Sequence, residues 1–165
     1  MIEPRPERPD DIPAIQAVHT AAFETPAEAG LIDALRATEA WIPSLSVVAE
    51  ADGQAVAHVL LSRIVLATAG GDLPALALGP VGVLPKFQRQ GYGAAVIRHA
   101  LNHRDDQLVI VLGEPAYYRR FGFVPGAAHG ITGEWSSFGE AWQVLPPSTG
   151  TPPGEALYPA PWTAV

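Results

Sequence analysis

The chain has 165 residues, of which 48% are apolar and only 16% are charged, so it can bury a sizeable core and is not a disordered protein. Its formal net charge of -7 argues against nonspecific binding to nucleic acid, because such binding depends on lysine and arginine neutralising phosphates. The absence of cysteine excludes disulfides, thiolate catalysis and cysteine-based zinc sites.

The N-terminal quarter of the sequence predicts two helices. The opening stretch MIEPRPERPDD has no apolar core, and no later run reaches membrane-spanning length, so we expect a cytoplasmic protein with no signal peptide or membrane segment. Asp10, Asp11 and Pro13 mark a helix start, since acidic groups and an early proline favour a helix N-terminus. Apolar residues follow at helical spacing: Ile12, Ile15, Val18 and Ala22. Thr25-Pro26 begins the second predicted helix, which ends at Trp41-Ile42-Pro43.

The middle of the chain predicts a β-hairpin, followed by a strand, a helix and another strand. SLSVVAE and AVAHVLLSRIVLA flank Asp52-Gly53, and an Asp-Gly pair supplies the positive φ angles of a two-residue hairpin turn. LPALALGPVGVLP predicts the next strand, AAVIRHALNH a helix, and LVIVLG a strand typical of a buried parallel sheet. Strand, helix and strand in this order form one right-handed crossover. The stretch PPSTGTPPG predicts a loop, and LYPAPW predicts a closing segment.

Two glycines, Gly91 and Gly93, stand where the chain enters the helix of AAVIRHALNH. Backbone amides at such a helix start point at a common centre and hold phosphate, and Arg89 adds a positive charge beside them. The alternative is a structural role, in which the glycines only shape a tight connection. A Walker-type loop is excluded, since no Gly-Lys-Ser or Gly-Lys-Thr follows. A dinucleotide fingerprint is disfavoured, because Val96 stands where it requires glycine or alanine and PKFQRQ separates the glycines from the strand.

The longer segment VGVLPKFQRQGYGAAVIRHAL resembles the coenzyme A-binding core of the Gcn5-related N-acetyltransferase (GNAT) superfamily. Gln88, Gly91 and Gly93 occupy its Gln/Arg-x-x-Gly-x-Gly/Ala positions. The resemblance continues through LVIVLGEPAYYRRFGFVP, where Tyr118 and Phe123 begin and end a Tyr-x-x-x-Gly-Phe pattern. Together with AAFETPAEAGLIDALR, these segments are similar to the YhbS-like branch of predicted acetyltransferases.

This resemblance implies an α/β (α+β) GNAT-like acyl-CoA N-acyltransferase fold: a twisted mixed sheet of about six to seven strands, with splayed central parallel strands and flanking helices. We predict one N-acetyltransferase domain over residues 1–165, with a core in 1–145 and a loop and closing segment in 146–165.

The resemblance also implies acetyl-CoA as co-substrate. Its pantetheine arm would pair with the strand Val81-Gly82-Val83 as an added strand, beside a bulge or splay at Gly79-Pro80. Amides of the glycine turn would hold the diphosphate. The cofactor-binding residues that follow are Val81, Val83, Gln88, Arg89, Gln90, Gly91, Tyr92, Gly93, Ala94 and Tyr118.

Catalytic roles follow from what acetyl transfer to an amine requires. The N–H of Val81 would polarise the thioester carbonyl, and Tyr118 would protonate the leaving thiolate as general acid. An ordinary packing role is the alternative for Tyr118. Glu114 is a candidate general base, while Glu24, His58 and an ordered water are the other candidates, and His58 also fits a hydrogen-bonded core histidine.

No metal is predicted. His99 and His103 share a helix face at the spacing of a metal pair, but no third ligand or HExxH pattern accompanies them, so we interpret them as solvated surface. A serine hydrolase is unsupported, because no Gly-x-Ser-x-Gly motif is present.

The predicted function is therefore acetyl transfer from acetyl-CoA to a primary amine by direct attack on the thioester. The alternative is a non-catalytic acyl-CoA-binding sensor or regulatory module of the same fold. We expect a small-molecule or peptide amine as acceptor and no nucleic-acid or membrane partner, and a homodimer is a candidate assembly.

Overall fold

The computed structural model describes residues 1–164, which contain four α-helices and nine β-strands. The helices are α1 Ile12–Phe23, α2 Ala27–Arg36, α3 Tyr92–Asn102 and α4 Pro115–Tyr118. The strands are β1 Arg5–Pro6, β2 Ser46–Ala51, β3 Gln54–Thr68, β4 Gly71–Val83, β5 Leu108–Leu112, β6 Val124–Pro125, β7 Ile131–Gly133, β8 Trp142–Leu145 and β9 Gly154–Leu157. None of these helices is both long and apolar enough to cross a membrane.

The strands form a mixed sheet in the order β1-β2-β3-β4-β5-β8-β6, and β9 pairs with both β3 and β7. The central pair β4 and β5 is parallel, with Ala75 opposite Leu108 and Ala77 opposite Ile110. The predicted α/β class and parallel centre are confirmed. The predicted strand number is too low, because β1, β6 and β7 have only two or three residues, too few to give an alternating pattern.

Local chemistry explains where the first elements begin and end. The β2–β3 turn has φ angles of 54° at Asp52 and 79° at Gly53, as the Asp-Gly pair predicts. Helix α2 ends at Arg36, earlier than the sequence predicts. The Thr38 hydroxyl donates to the carbonyl of Leu35 and accepts from the N–H of Ala40, at 2.9 and 3.1 Å, and these bonds compete with further helix.

The chain divides into two compact units. The first contains Met1–Ser62, Gly79–Arg104 and the segment from Ala160 onward, and the second contains Arg63–Leu78 and Asp105–Pro159. Strands β3 and β4 contribute residues to both. The predicted single domain over 1–165 and the predicted splay of the central strands stay predictions.

The first unit is built on apolar faces of α1 and α2 and on the hairpin. In one cluster Leu31, Ile32 and Leu35 of α2 pack with Leu60 of β3. In a second, Ile15 of α1 packs with residues of β2 and β3. Helix α3 packs against β2. Burial of these side chains stabilises the unit by about 2 kcal/mol for each large aliphatic group.

The second unit is built around β5 and β8, whose register places Val109 opposite Leu145. Trp142 of β8 is buried, and its indole N–H donates to the carbonyl of Ile131 at 3.0 Å. The stretch 146–153 has no helix or strand, which confirms the predicted loop except at its last residue, because Gly154 begins β9.

Candidate functional site

The turn between β4 and α3, in the first unit, has the geometry of an anion-binding helix start. Gly91 caps α3 with φ 91° and ψ 0°, a left-handed conformation that glycine adopts without strain. The hydrogen bond from the N–H of Ala95 to the carbonyl of Gly91, at 3.0 Å, is the first of the helix. The amides of Tyr92, Gly93 and Ala94 precede it, so the helix gives them no carbonyl partner.

Two glutamines brace this turn. The side-chain amide of Gln88 donates to the carbonyl of Val83 at 3.1 Å, and that of Gln90 donates to the carbonyl of Lys86 at 3.0 Å. Arg89 is exposed and has a positive φ of 62°. Residues predicted from the motif are thus brought together around one exposed turn, where the glutamines shape the backbone and Arg89 supplies positive charge.

The strand leading to this turn carries the predicted pantetheine contacts. Val81 and Val83 are half-buried, while Gly82 between them is buried. The N–H of Leu84 donates to the carbonyl of Val56 at 2.9 Å. The role of the Val81 N–H at the thioester stays a prediction.

The predicted acid and the first candidate base lie in the second unit. Tyr118 ends α4, is buried, and packs on Gly113 so closely that a Cβ atom there would stand 2.4 Å from its ring. Burial, with a smaller effect of Tyr117, raises the pKa of the Tyr118 phenol well above its ordinary value, so the phenol stays protonated at neutral pH. Glu114 is exposed and stands at the N-cap position of α4, where its side chain makes no capping hydrogen bond.

Aromatic packing around Tyr118 is also extensive. Its ring makes an edge contact with Tyr117 at a centroid distance of 5.1 Å and another with Phe123 at 5.8 Å. These contacts hold the phenol in one orientation, as both the general-acid role and the packing alternative require.

The other two candidate bases differ sharply in environment. Glu24 is exposed and follows α1 in a left-handed conformation, with φ 60°. His58 of β3 is completely buried and belongs to a chain of four polar side chains in the first unit, which we call the histidine chain: His19, His58, Ser46 and Glu7.

Distances along the histidine chain are those of direct hydrogen bonds. His19 Nε2 lies 2.8 Å from His58 Nδ1, and His58 Nε2 lies 2.8 Å from Ser46 Oγ. The Ser46 hydroxyl donates to Glu7 Oε1. Glu7 also accepts from Arg36, with Nε and Nη2 at 3.2 and 3.1 Å from its carboxylate oxygens.

Burial sets the protonation of this chain. Desolvation, together with repulsion from His58, lowers the pKa of His19 to about 3. Desolvation also lowers the pKa of His58, although Glu7 opposes it. Burial alone would raise the pKa of Glu7, but the nearby His58 ring, whose Nε2 lies 3.7 Å from Oε1, and the hydrogen bonds from Arg36 and Ser46 outweigh it and lower the pKa. The resting chain therefore contains neutral imidazoles and an ionised carboxylate.

Sequence reasoning singled out His58 and missed its three partners. One signal was available: His19 falls four residues after Ile15 and seven after Ile12, on the apolar face of α1, where a polar residue must find a buried partner. Nothing comparable marks Glu7 or Ser46.

The predicted surface pair on α3 is present. The rings of His99 and His103 stack at a centroid distance of 4.5 Å, and His103 Nδ1 donates to the carbonyl of His99 at 2.8 Å. Over residues 1–164, no group of three or more histidine, aspartate or glutamate side chains is arranged to hold a metal ion.

Comparison with known proteins places this geometry in context. The family described as "Acetyltransferase (GNAT) domain" matches residues 3–126. The chain is 34% identical to the uncharacterized N-acetyltransferase YhbS of Escherichia coli K12 over 85% of the chain and 84% of that protein. It is 37% identical to the uncharacterized N-acetyltransferase YjhQ of the same strain, over 71% of the chain but only 66% of that protein.

Two solved structures resemble the chain over 98% of its length. The YhbS structure from Escherichia coli, in complex with CoA, has a TM-score of 0.88, 30% identity and 92% of its own chain covered. A GNAT family acetyltransferase from Brucella melitensis, in complex with acetyl-CoA, has a TM-score of 0.79, 33% identity and 98% of its chain covered.

Proposed function

Because the chain belongs to the GNAT acetyltransferase family, we propose that it transfers the acetyl group of acetyl-CoA to a primary amine, by direct attack of the amine on the thioester. The observation that carries the proposal is the glycine-capped start of α3, with unbonded amides of its first turn beside exposed Arg89. This arrangement supplies several N–H donors and a cation for a diphosphate within a chain of net charge -7. The complexes of similar proteins with CoA and acetyl-CoA support the same ligand.

Binding of the cofactor uses two parts of the first unit. Backbone groups of Val81 and Val83 bind the pantetheine arm as an added strand. The amides from Arg89 to Ala94 bind the diphosphate, while Gln88 holds the turn in place through Val83. Because the glycines leave the backbone bare, the phosphates can approach these amides closely.

Chemistry at the thioester requires polarisation, a base and an acid. The N–H of Val81 polarises the carbonyl, which favours the negative charge that develops on its oxygen. Tyr118 protonates the departing thiolate: its phenol holds a proton at neutral pH, although burial raises its pKa and makes it a weaker acid than an exposed tyrosine. Glu114 follows β5 in the second unit, is exposed, and remains a candidate base.

Calorimetric titration with acetyl-CoA tests the binding half of this proposal, with NADH and ATP as controls. Micromolar binding of acetyl-CoA alone is the expected result. Preference for NADH would favour a dinucleotide-binding role for Gly91 and Gly93. No binding of any of the three ligands would favour a purely structural role.

An amine panel then tests transfer. Suitable amines are a polyamine, free amino acids, a peptide with a free N-terminus and a lysine peptide with a blocked one, each incubated with acetyl-CoA while thiol release and acetylated product are measured. Product with at least one of them is expected. Binding without transfer to any amine would favour the sensor module. Acceptor identity, a homodimer and a cytoplasmic location stay predictions.

A further inference from the structure

We propose that the histidine chain is a proton relay that accepts, at His19 Nδ1, the proton released by the acceptor amine and passes it to Glu7. The inference rests on the proposed function and names the base that the sequence left open. Glu7, Ser46 and His58 would act through His19 and are positioning residues. All four belong to the first unit.

Glu7 determines which group donates in each hydrogen bond of the histidine chain. Glu7 is a carboxylate that already accepts two N–H groups of Arg36, so its contact with Ser46 is a hydroxyl donating to it. Ser46 Oγ must then accept from His58, which places the His58 proton on Nε2. A neutral imidazole with a proton on Nε2 has a bare Nδ1, so His58 accepts from His19.

This order leaves His19 with its proton on Nε2 and a bare lone pair on Nδ1. That nitrogen is buried and has no hydrogen-bond partner among residues 1–164. A buried acceptor without a partner costs free energy, so its retention requires a reason. The ring is held in this orientation by parallel stacking on Phe23, at 6.0 Å and 7°, and by an edge contact with His58.

The bare nitrogen faces the strand on which the thioester is proposed to bind. A Cβ atom on Gly82 would stand 2.9 Å from His19 Nδ1, so the nitrogen lies against the backbone of β4. Gly82 sits between Val81 and Val83, the residues assigned to the pantetheine arm. His19 Nδ1 is therefore in contact with the strand assigned to the pantetheine arm, and only glycine at position 82 leaves room for the imidazole ring.

Proton transfer through the chain balances without a buried cation. The amine nitrogen bonds to the thioester carbon and gives its proton to His19 Nδ1. The His19 Nε2 proton moves to His58 Nδ1, the His58 Nε2 proton moves to Ser46, and the Ser46 proton moves to Glu7. The C–S bond breaks, and the thiolate takes the proton of Tyr118. The cycle closes when the Tyr118 phenolate takes a proton from solvent and Glu7 releases its proton back through the chain.

After the protons have moved, each hydrogen bond of the histidine chain is still present, with its donor and acceptor exchanged. Glu7 becomes neutral and no imidazolium forms, which is consistent with the low pKa of His19. Arg36 favours the ionised form of Glu7, so it drives the chain back to its resting direction. Other charges near the chain are Asp33, 2.6 Å from Arg36, and Asp11, which acts on His58 at longer range.

Nitrogen-15 NMR of histidine-labelled protein tests the direction without any substrate. At pH 7 both buried imidazoles are expected to be neutral with the proton on Nε2. Glu7→Gln keeps an amide oxygen at the position of Glu7 Oε1, where Ser46 and Arg36 both donate, so both histidines should stay in the Nε2–H form while the final proton acceptor is lost. Asp33→Asn is the matched control, because Asp33 contacts Arg36 outside the chain and its loss leaves both the tautomers and the proton acceptor unchanged. A charged imidazole, or an Nδ1–H form of His19 or His58 in the wild type, would overturn the relay.

Kinetics with an amine from the panel test the use of the relay. Glu7→Gln is expected to lower kcat about 100-fold at pH 7 with an unchanged Kd for acetyl-CoA, and the deficit should narrow at high pH as the amine loses its proton to solvent. Equal kcat values and pH profiles would remove the catalytic role. If the wild type fails to bind acetyl-CoA or to acetylate any amine, the proposed function is overturned, and with it the use of the relay in catalysis. The NMR tautomers still test the direction of the hydrogen bonds in the histidine chain.

Discussion

Gly82 of β4 and His19 of α1 are in contact through the face of Gly82 that a side chain would occupy: a Cβ atom there would lie 2.9 Å from Nδ1 and 3.1 Å from Cε1 of the imidazole. The ring cannot move away easily, because it is buried and stacked on Phe23. A glycine within a strand is usually unfavourable, since it raises the conformational entropy of the unfolded chain and contributes no side chain to packing. Here it makes room for the histidine.

Gly82→Ala is therefore expected to destabilise the protein by about 1–3 kcal/mol, as overpacking of a core does. Urea unfolding measures the change. Gly30→Ala is the control, because Gly30 lies inside α2 with no atom within 4 Å of an added Cβ, and alanine there should stabilise the helix by about 0.5–1 kcal/mol. Equal effects of the two substitutions would show that the contact with His19 is not tight.

The contacts of Asp11 predict that the free energy of unfolding depends on pH in acid. Both Nη atoms of Arg5 donate to its carboxylate, at 2.8 and 3.0 Å, and the N–H of Arg8 donates at 2.6 Å. The hydrogen bond from Arg5 outweighs burial and lowers the Asp11 pKa below its ordinary 3.8. A depressed carboxylate pKa stabilises the fold above the unfolded value, and this stability is lost as the pH falls through the folded pKa.

Asp11→Asn should thus cost roughly 1–2 kcal/mol at pH 7, and the difference from the wild type should shrink from about pH 4 downwards. Asparagine keeps one oxygen for the N–H of Arg8 and Nη1 of Arg5, but its amide nitrogen faces Nη2 of Arg5, so the substitution removes the charge together with one acceptor. Chemical unfolding at a series of pH values measures it. A difference that stays constant down to pH 2 would mean that the carboxylate is not the titrating group.

Local patterns in the sequence were enough for most of the fold. The Asp52-Gly53 turn, α1 with its Asp10-Asp11 start, and the glycine-capped start of α3 each depend on a few neighbouring residues, so composition and spacing predict them. The two-residue strand β1 has no such pattern, because its two ladder partners, Val47 and Val48, are about 40 residues away.

In the candidate site, too, features formed by neighbouring residues were predictable and features formed by distant residues were not. The turn between β4 and α3, which we propose to bind the diphosphate, is a continuous segment and follows from a motif. Contacts of the histidine chain join residues 39 positions apart, as with His19 and His58 or Glu7 and Ser46, so only the folded chain brings them together. The sequence indicated this chain at one position, His19, a polar residue on the apolar face of α1.

Gly91→Val tests the proposed binding of the diphosphate at the start of α3. Valine at φ 91° carries a strain of about 1–2 kcal/mol, and its side chain covers amides that would face the phosphates, so acetyl-CoA should bind at least about 10-fold more weakly. Calorimetry measures the Kd. Gly53→Val introduces comparable strain at φ 79° in the β2–β3 turn and should leave the Kd unchanged. Similar losses in both variants would indicate global damage, and no loss in Gly91→Val would remove the diphosphate assignment.

Tyr118→Phe separates acid catalysis from packing. Phenylalanine keeps the ring on Gly113 and beside Phe123, so the fold and the acetyl-CoA Kd should change little. Loss of the hydroxyl removes the proposed proton donor for the thiolate, so kcat with a responsive amine should fall about 100-fold. Tyr117→Phe is the matched control: its ring touches the same cluster, no proton transfer is assigned to it, and its kcat should equal that of the wild type. If Tyr118→Phe turns over as fast as Tyr117→Phe, the buried phenol serves only to pack the aromatic cluster, and the thiolate must take its proton from another group.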